Sequence, residues 1–336
     1  NFFDLGGHSL SATKAANRIS RALDTDIPVR QILRWQTIAE LGAAIEEGRS
    51  AKQEILYRLS SEEPGPDVPN LFCVHPSGGT PYSYGQLARQ LRGHCTTYGF
   101  QAVGMDRSEL PLRDIADIAA RYWKAIKSVQ PEGPYYLLGW SLGGIIAHEM
   151  ARQGADDIAR VFLVEPPVHG PRLSKRLWPG VERYERAAEL WERGQDTEPA
   201  VREEYTVELR RVAETLEVPV DAIGLDEWLP YETLGLLLEA TLRHSPSTST
   251  APAVLFVSDE VAHSRQGSVV NELDLAEYVD YWAALHDRPI QMERTPGDHA
   301  AMLAELSGSE KVAGVIRHAF SFTPAESGSV TTEQMG

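Results

Sequence analysis

The stretch that most constrains the fold is Tyr135-Tyr136-Leu137-Leu138-Gly139-Trp140-Ser141-Leu142-Gly143-Gly144. An apolar run enters a Gly-x-Ser-x-Gly pentapeptide, and Ile145 to Arg152 follows with helical character. The pattern predicts a strand, a sharp turn and a helix, the setting in which such a pentapeptide exposes a nucleophilic serine. Glycine at 139 and 143 leaves room for strand and helix to approach, and the turn forces Ser141 into a strained backbone conformation. Its hydroxyl would then stand at a helix N-terminus, where free N–H groups and the helix dipole favour negative charge. The competing reading is an ordinary Gly-rich turn with Ser141 as a helix cap.

A serine nucleophile needs a base. In this kind of arrangement the acid and then the histidine come later in the chain. Thr295-Pro296-Gly297-Asp298-His299-Ala300 follows an expected strand (Pro289 to Arg294), which places His299 on a loop suited to that role. His148 falls on the helix after Ser141 and reads as a buried structural side chain. His263 and His286 lack a clear strand-to-loop setting, and Asp298 reads as a loop-stabilising residue.

From Leu71 the chain alternates strands and helices. Strands are expected at Leu71 to His75, Thr96 to Ala102, Tyr135 to Leu138, Val161 to Val164, Val254 to Val257 and Pro289 to Arg294, with helices at Tyr82 to Leu91 and Ile115 to Val129. This is an α/β fold with a mostly parallel sheet covered on both faces. The alternation stops between Pro166 and Pro252, a stretch containing Trp178, Trp191 and Trp228. It reads as a helical lid, at about 170–250, over the edge of the sheet that carries Ser141.

The N-terminal part is different. Asn1-Phe2-Phe3-Asp4-Leu5-Gly6-Gly7-His8-Ser9-Leu10 leads into a helical pattern to Leu23, a short turn at Val29 to Trp35, and a last helix capped by Thr37. By its position alone Ser9 is a helix-entry residue. The Pro/Gly cluster in Ser60 to Pro66 marks a linker, and Ile55 to Leu59 within it reads as an edge strand of the next domain. The expected boundaries are a small helical domain at 1–48, a linker at 49–70, the α/β domain at 71–322 and a polar tail at 323–336.

The formal net charge of −16 excludes phosphate-backbone binding of nucleic acid as a main role. No apolar run approaches a membrane span, and no secretory leader is read at the start. Two cysteines, Cys73 and Cys95, point to a reducing, cytoplasmic setting rather than a disulfide framework.

The opening motif resembles the peptidyl carrier domains of nonribosomal peptide synthetases. That resemblance implies a covalent 4'-phosphopantetheine on Ser9, and a phosphopantetheinyl transferase and upstream synthetase domains as partners. The chain starts at the motif, so the carrier's first helix is expected to be missing. The stretches Phe72-Cys73-Val74-His75-Pro76-Ser77-Gly78-Gly79, Gly139 to Gly144, Ala147-His148-Glu149-Met150-Ala151 and Pro296-Gly297-Asp298-His299 resemble the α/β-hydrolase thioesterases that end such assembly lines. The resemblance implies a peptidyl thioester substrate and release by hydrolysis or cyclisation. Acyl transfer also needs donors for the oxyanion. The Leu142 backbone N–H is one, and the resemblance puts the second at Ser77. For the acid, the family carries Asp at the end of the strand after the nucleophile helix, where this chain has Glu165. Asp259, which follows the next expected strand, is the rival. A free-standing esterase and a non-catalytic carrier and docking module are the alternative functions.

Overall fold

A computed structural model describes residues 1–2, 5, 9–25, 27, 29–49, 55–60, 68–105, 111–168, 207, 237–263, 273–299 and 301–321. Seven strands form one sheet: β1 (Leu56–Arg58), β2 (Asn70–Val74), β3 (Thr96–Phe100), β4 (Tyr135–Trp140), β5 (Ile158–Val164), β6 (Ala253–Ser258) and β7 (Gln291–Thr295). Their order is β1-β3-β2-β4-β5-β6-β7, with β1 antiparallel to β3 and every other neighbour parallel. The stretch expected as linker, 49–70, therefore supplies β1 to the sheet edge, as the apolar run at Ile55 to Leu59 predicts.

Apolar residues along each strand alternate between the two faces. On one face Phe72, Val74, Leu137, Leu163 and Leu255 pack with the helices α5 (Ile115–Val129), α6 (Leu142–Gln153) and α8 (Leu275–Ala284). On the other, Leu71, Cys73, Leu138, Phe162 and Phe256 pack with α4 (Gly85–Gln90), α9 (Ala301–Ala304) and α10 (Leu306–Phe320). A short helix, α7 (Asp259–His263), follows β6 directly. Strands buried on both faces account for the near-continuous apolar runs in the sequence.

The helix expected from Tyr82 divides in two. A 3₁₀ turn at Pro81–Tyr84 precedes α4, with Pro81 at its first position and Tyr82 and Tyr84 both buried. β4 runs on to Trp140, two residues past the expected end, because the sheet pairing continues through Gly139 to the turn itself.

At the N-terminus are α1 (Ser9–Leu23), α2 (Val29–Arg34) and α3 (Ile38–Glu46). Thr37 caps α3 reciprocally with Glu40, satisfying two helix-entry donors. The proposed lid falls mostly outside the described residues, together with Trp178, Trp191 and Trp228, and so does the tail at 323–336. The end of the lid stretch, a helix over 237–243, packs Leu237, Leu238 and Ala240 into the main core. Among the described residues no helix is long and apolar enough to cross a membrane, and no group of His, Cys, Asp and Glu could hold a metal ion.

Candidate active site

Ser141 sits between β4 and α6 with φ 54° and ψ −131°, a left-handed conformation that costs an L-residue energy and persists because its surroundings fix it. Its N–H donates to the Val164 carbonyl at 2.9 Å, and its carbonyl accepts the Gly144 N–H at 2.8 Å. A Cβ at Gly139 would run into the Gly143 carbonyl, and one at Gly143 would run into the carbonyls of Val74 and His75. The helix start is therefore pressed against the ends of both β4 and β2. Leu142, the first residue of α6, and Ser77, in the turn after β2, are consequently on adjacent strand ends.

The acid and base come together from distant parts of the chain. β5 and β6 pair in parallel up to Val164 and Phe256. Beyond that register Glu165 turns at φ 42°, its N–H donating to the Phe256 carbonyl at 3.0 Å. The Glu165 side chain is fully buried, and both its oxygens are engaged. Oε1 accepts the Ser258 hydroxyl at 2.6 Å and the Ser258 N–H at 3.2 Å. Oε2 lies 2.6 Å from His299 Nδ1. A carboxylate only accepts, so Nδ1 carries the proton and Nε2 is left as the acceptor nitrogen. The His299 ring lies 5.4 Å, centroid to centroid, from Trp140, the residue before Ser141. Tyr278 adds a further tie by donating to the Pro166 carbonyl at 2.8 Å.

Asp259 is elsewhere: it pairs with Arg294 at 3.1 Å, with both side chains about half exposed. Asp298 accepts the Ala301 N–H at 2.8 Å and so stabilises the loop that carries His299. His148 is buried, with its Nε2–H donating to the Ser247 carbonyl at 2.9 Å and its ring packed beside His286 and Trp282. The side chain of His263 lies outside the described residues.

Two supports are missing from the sequence reading. Ser258 is one, and its signal was its place beside Asp259 at a strand end. The other is His75, buried between Pro76 and Tyr122. Its Nδ1–H donates to the Pro76 carbonyl at 2.8 Å, and the Tyr122 hydroxyl donates to Nε2 at 2.6 Å. Burial lowers the His75 pKa to about 4, the Pro76 bond opposing the shift. This neutral imidazole ties the loop bearing Ser77 to α5.

At the N-terminus Ser9 is the first residue of a fifteen-residue helix with no acidic residue in its first turn. A helix N-terminus favours an anion such as a phosphodiester, because its free N–H groups and the dipole favour negative charge.

Residues 69–167 match the family described as thioesterase domain, and residues 1–45 match the phosphopantetheine attachment site. A dimodular nonribosomal peptide synthase from Bacillus subtilis (strain 168) is 44% identical over 153 residues, 45% of this chain and 6% of that protein. Atromentin synthetase nps3 from Serpula lacrymans var. lacrymans (strain S7.9) is 27% identical over 81% of this chain and 30% of its own length. The chain thus spans a small part of these relatives. Among solved structures, the four-domain nonribosomal peptide synthetase holo-AB3403 covers 96% of this chain, which covers 24% of it, at TM-score 0.60 and 24% identity. The NocB thioesterase domain, bound covalently to a fluorophosphonate nocardicin G analogue, covers 80% of this chain over its full length at TM-score 0.53 and 23% identity. By these matches residues 1–45 form a phosphopantetheine attachment region and residues 69–167 belong to a thioesterase domain, on an α/β fold shared with solved thioesterase domains, and the chain is similar to one part of nonribosomal peptide synthetases.

Proposed function

We propose that this didomain releases a finished acyl or peptidyl chain from its thioester by way of a serine ester. The observation that carries the reading is the Glu165–His299 pair at 2.6 Å, with the His299 ring against the residue that precedes a left-handed Ser141. Such a pair holds an imidazole in the tautomer that can take a proton, and a turn serine is the group that offers one.

In the proposed reaction Ser141 Oγ attacks the thioester carbonyl while its proton passes to His299 Nε2. The negative charge that develops on the carbonyl oxygen is met by the N–H groups of Leu142 and Ser77. Collapse breaks the carbon–sulfur bond, and the leaving thiolate takes the proton from His299. Water, or an amine or hydroxyl of the acyl chain itself, then attacks the ester with His299 again as base, and Ser141 Oγ recovers its proton. Glu165 Oε2 holds the Nδ1–H of His299 and stabilises the imidazolium that forms.

Ser9 is the proposed attachment residue, loaded by a phosphopantetheinyl transferase, and upstream synthetase domains would supply the acyl chain. When bound there, phosphopantetheine supplies the thiol that carries the acyl group. Treating the chain with such a transferase and an acyl-coenzyme A, then weighing protein and products, tests the reading. Wild type should gain one arm and release the acyl group. Ser9→Ala should gain none, and Ser141→Ala should be loaded but retain its acyl group. An arm on Ser9→Ala, or release by Ser141→Ala, would contradict it.

A further inference from the structure

β1 closes one edge of the sheet, and the attachment region meets it there. Successive residues of an antiparallel strand point their backbone groups alternately toward the partner and away. The Gln101 N–H donates to the Ile55 carbonyl and the Leu59 N–H to the Thr97 carbonyl, each at 2.8 Å. Ile55 and Leu59 therefore face β3, and the Arg58 carbonyl between them faces outward. An outward-facing edge of this kind invites another backbone or side chain. Here the Arg58 carbonyl accepts Gln36 Nε2 at 3.2 Å. Gln36 is itself held from behind: Asn1 Nδ2 donates to its Oε1, and the Phe2 N–H to its carbonyl, both at 2.7 Å.

Beside this bond Phe2 packs against Tyr57 of β1 and Tyr82 of the 3₁₀ turn, which are 4% and 7% exposed. Phe2 also packs on the attachment region's own small core of Ala12, Ala16 and Ile32. One ring thus belongs to both bodies. Tyr82 follows closely on the loop bearing His75 and Ser77. Two residues later the Tyr84 hydroxyl donates to the Val74 carbonyl and accepts the Trp140 N–H, next to Ser141. A single turn touches the attachment region through Tyr82 and the nucleophile strand through Tyr84.

We propose that the β1 edge and the Tyr57–Tyr82 surface are a docking site for this chain's phosphopantetheine attachment region, with Phe2 as apolar anchor and Gln36 as polar latch. The proposal rests on the carrier–thioesterase reading and adds where the carrier sits when it delivers. A docked carrier confines its substrate near the hydrolase and raises its effective concentration there. A substrate that arrives free in solution gains nothing from it.

Two variants and two readouts test this. Gln36→Glu keeps the side chain's size but turns a carboxylate oxygen on the Arg58 carbonyl, and Phe2→Ala removes the anchor. Hydrogen exchange over residues 55–59 and 81–84 should quicken by about tenfold in each variant, as an uncovered edge opens more often. One acyl group is then offered both on Ser9 and as its free N-acetylcysteamine thioester. Release from Ser9 should fall by about tenfold while turnover of the free thioester stays within about twofold of wild type. Unchanged exchange in Gln36→Glu, or release from Ser9 as fast as wild type or faster, overturns the docking site. A wild type that turns over neither thioester contradicts the proposed function instead, and the exchange rates still decide the docking.

Discussion

At Glu165 the carboxylate is divided between two tasks: Oε1 is fixed by Ser258 and Oε2 faces His299. Replacing Glu165 with Gln keeps the shape and removes the charge that, in the proposed reaction, steadies the imidazolium. By the measured behaviour of such triads, turnover of a thioester should fall by roughly 10³- to 10⁴-fold. Asp259→Asn, which alters the half-exposed pair with Arg294, should cost at most about tenfold. Steady-state rates of the two variants decide between them, and the reverse pattern would move the acid to Asp259. Ser258→Ala removes one hydrogen bond to a buried charge, and about a tenfold loss in kcat with little change in KM is expected. Ser141 and Glu165 are candidates in the sequence because each follows directly on a recognisable strand, and His299 because it lies on the loop after another. Ser258 was not legible. It reaches Glu165 across 93 residues, through a parallel register that neither strand announces by itself.

The elements meet at two crowded points. At the start of α6, Gly143 leaves no space between the helix and the carbonyls of Val74 and His75. Gly143→Ala must push the helix off β2, and a loss of about 2 kcal/mol or more is expected in chemical unfolding, with turnover falling further. Unchanged stability would show that the approach is looser than drawn. At the end of β2, neutral His75 joins the loop to Tyr122 on α5. Its pKa falls from 6.5 in the ordinary imidazole to about 4 in the fold. The unfolded chain therefore binds the extra proton first, and stability present above pH 6.5 is lost as pH falls toward 4. Between pH 7 and pH 5 wild type should lose about 2 kcal/mol more than His75→Gln in urea titrations. Equal losses would mean that His75 does not stay neutral in the fold. The helices α5 and α3 match their expected spans to within a residue; the Thr37 cap of α3 is legible in the sequence, and Asp114 caps α5 in the fold. The 3₁₀ turn at Pro81–Tyr84 was not legible, because Tyr82 and Tyr84 are placed by tertiary contacts rather than by helical spacing.

For the whole molecule the sheet order explains why the pieces of the site can lie so far apart in sequence. Parallel strands with crossovers bring the ends of β2, β4, β5 and β6 side by side, and these carry the Ser77 loop, Ser141, Glu165 and Ser258. The attachment region sits at the opposite edge from β7, on β1. A carrier and a hydrolase were both legible as motifs, whereas their contact was not, because it uses Phe2, Gln36 and Tyr57, which no motif singles out as a group. The central claim is that the acyl chain passes through an ester on Ser141. Rapid quenching of the chain with a peptidyl N-acetylcysteamine thioester, followed by peptide mapping, reads that ester directly. One acyl adduct on the peptide containing Ser141, formed at a rate no slower than turnover and absent from Ser141→Ala, is the predicted result. An adduct on another residue, or undiminished turnover by a folded Ser141→Ala protein, would contradict it.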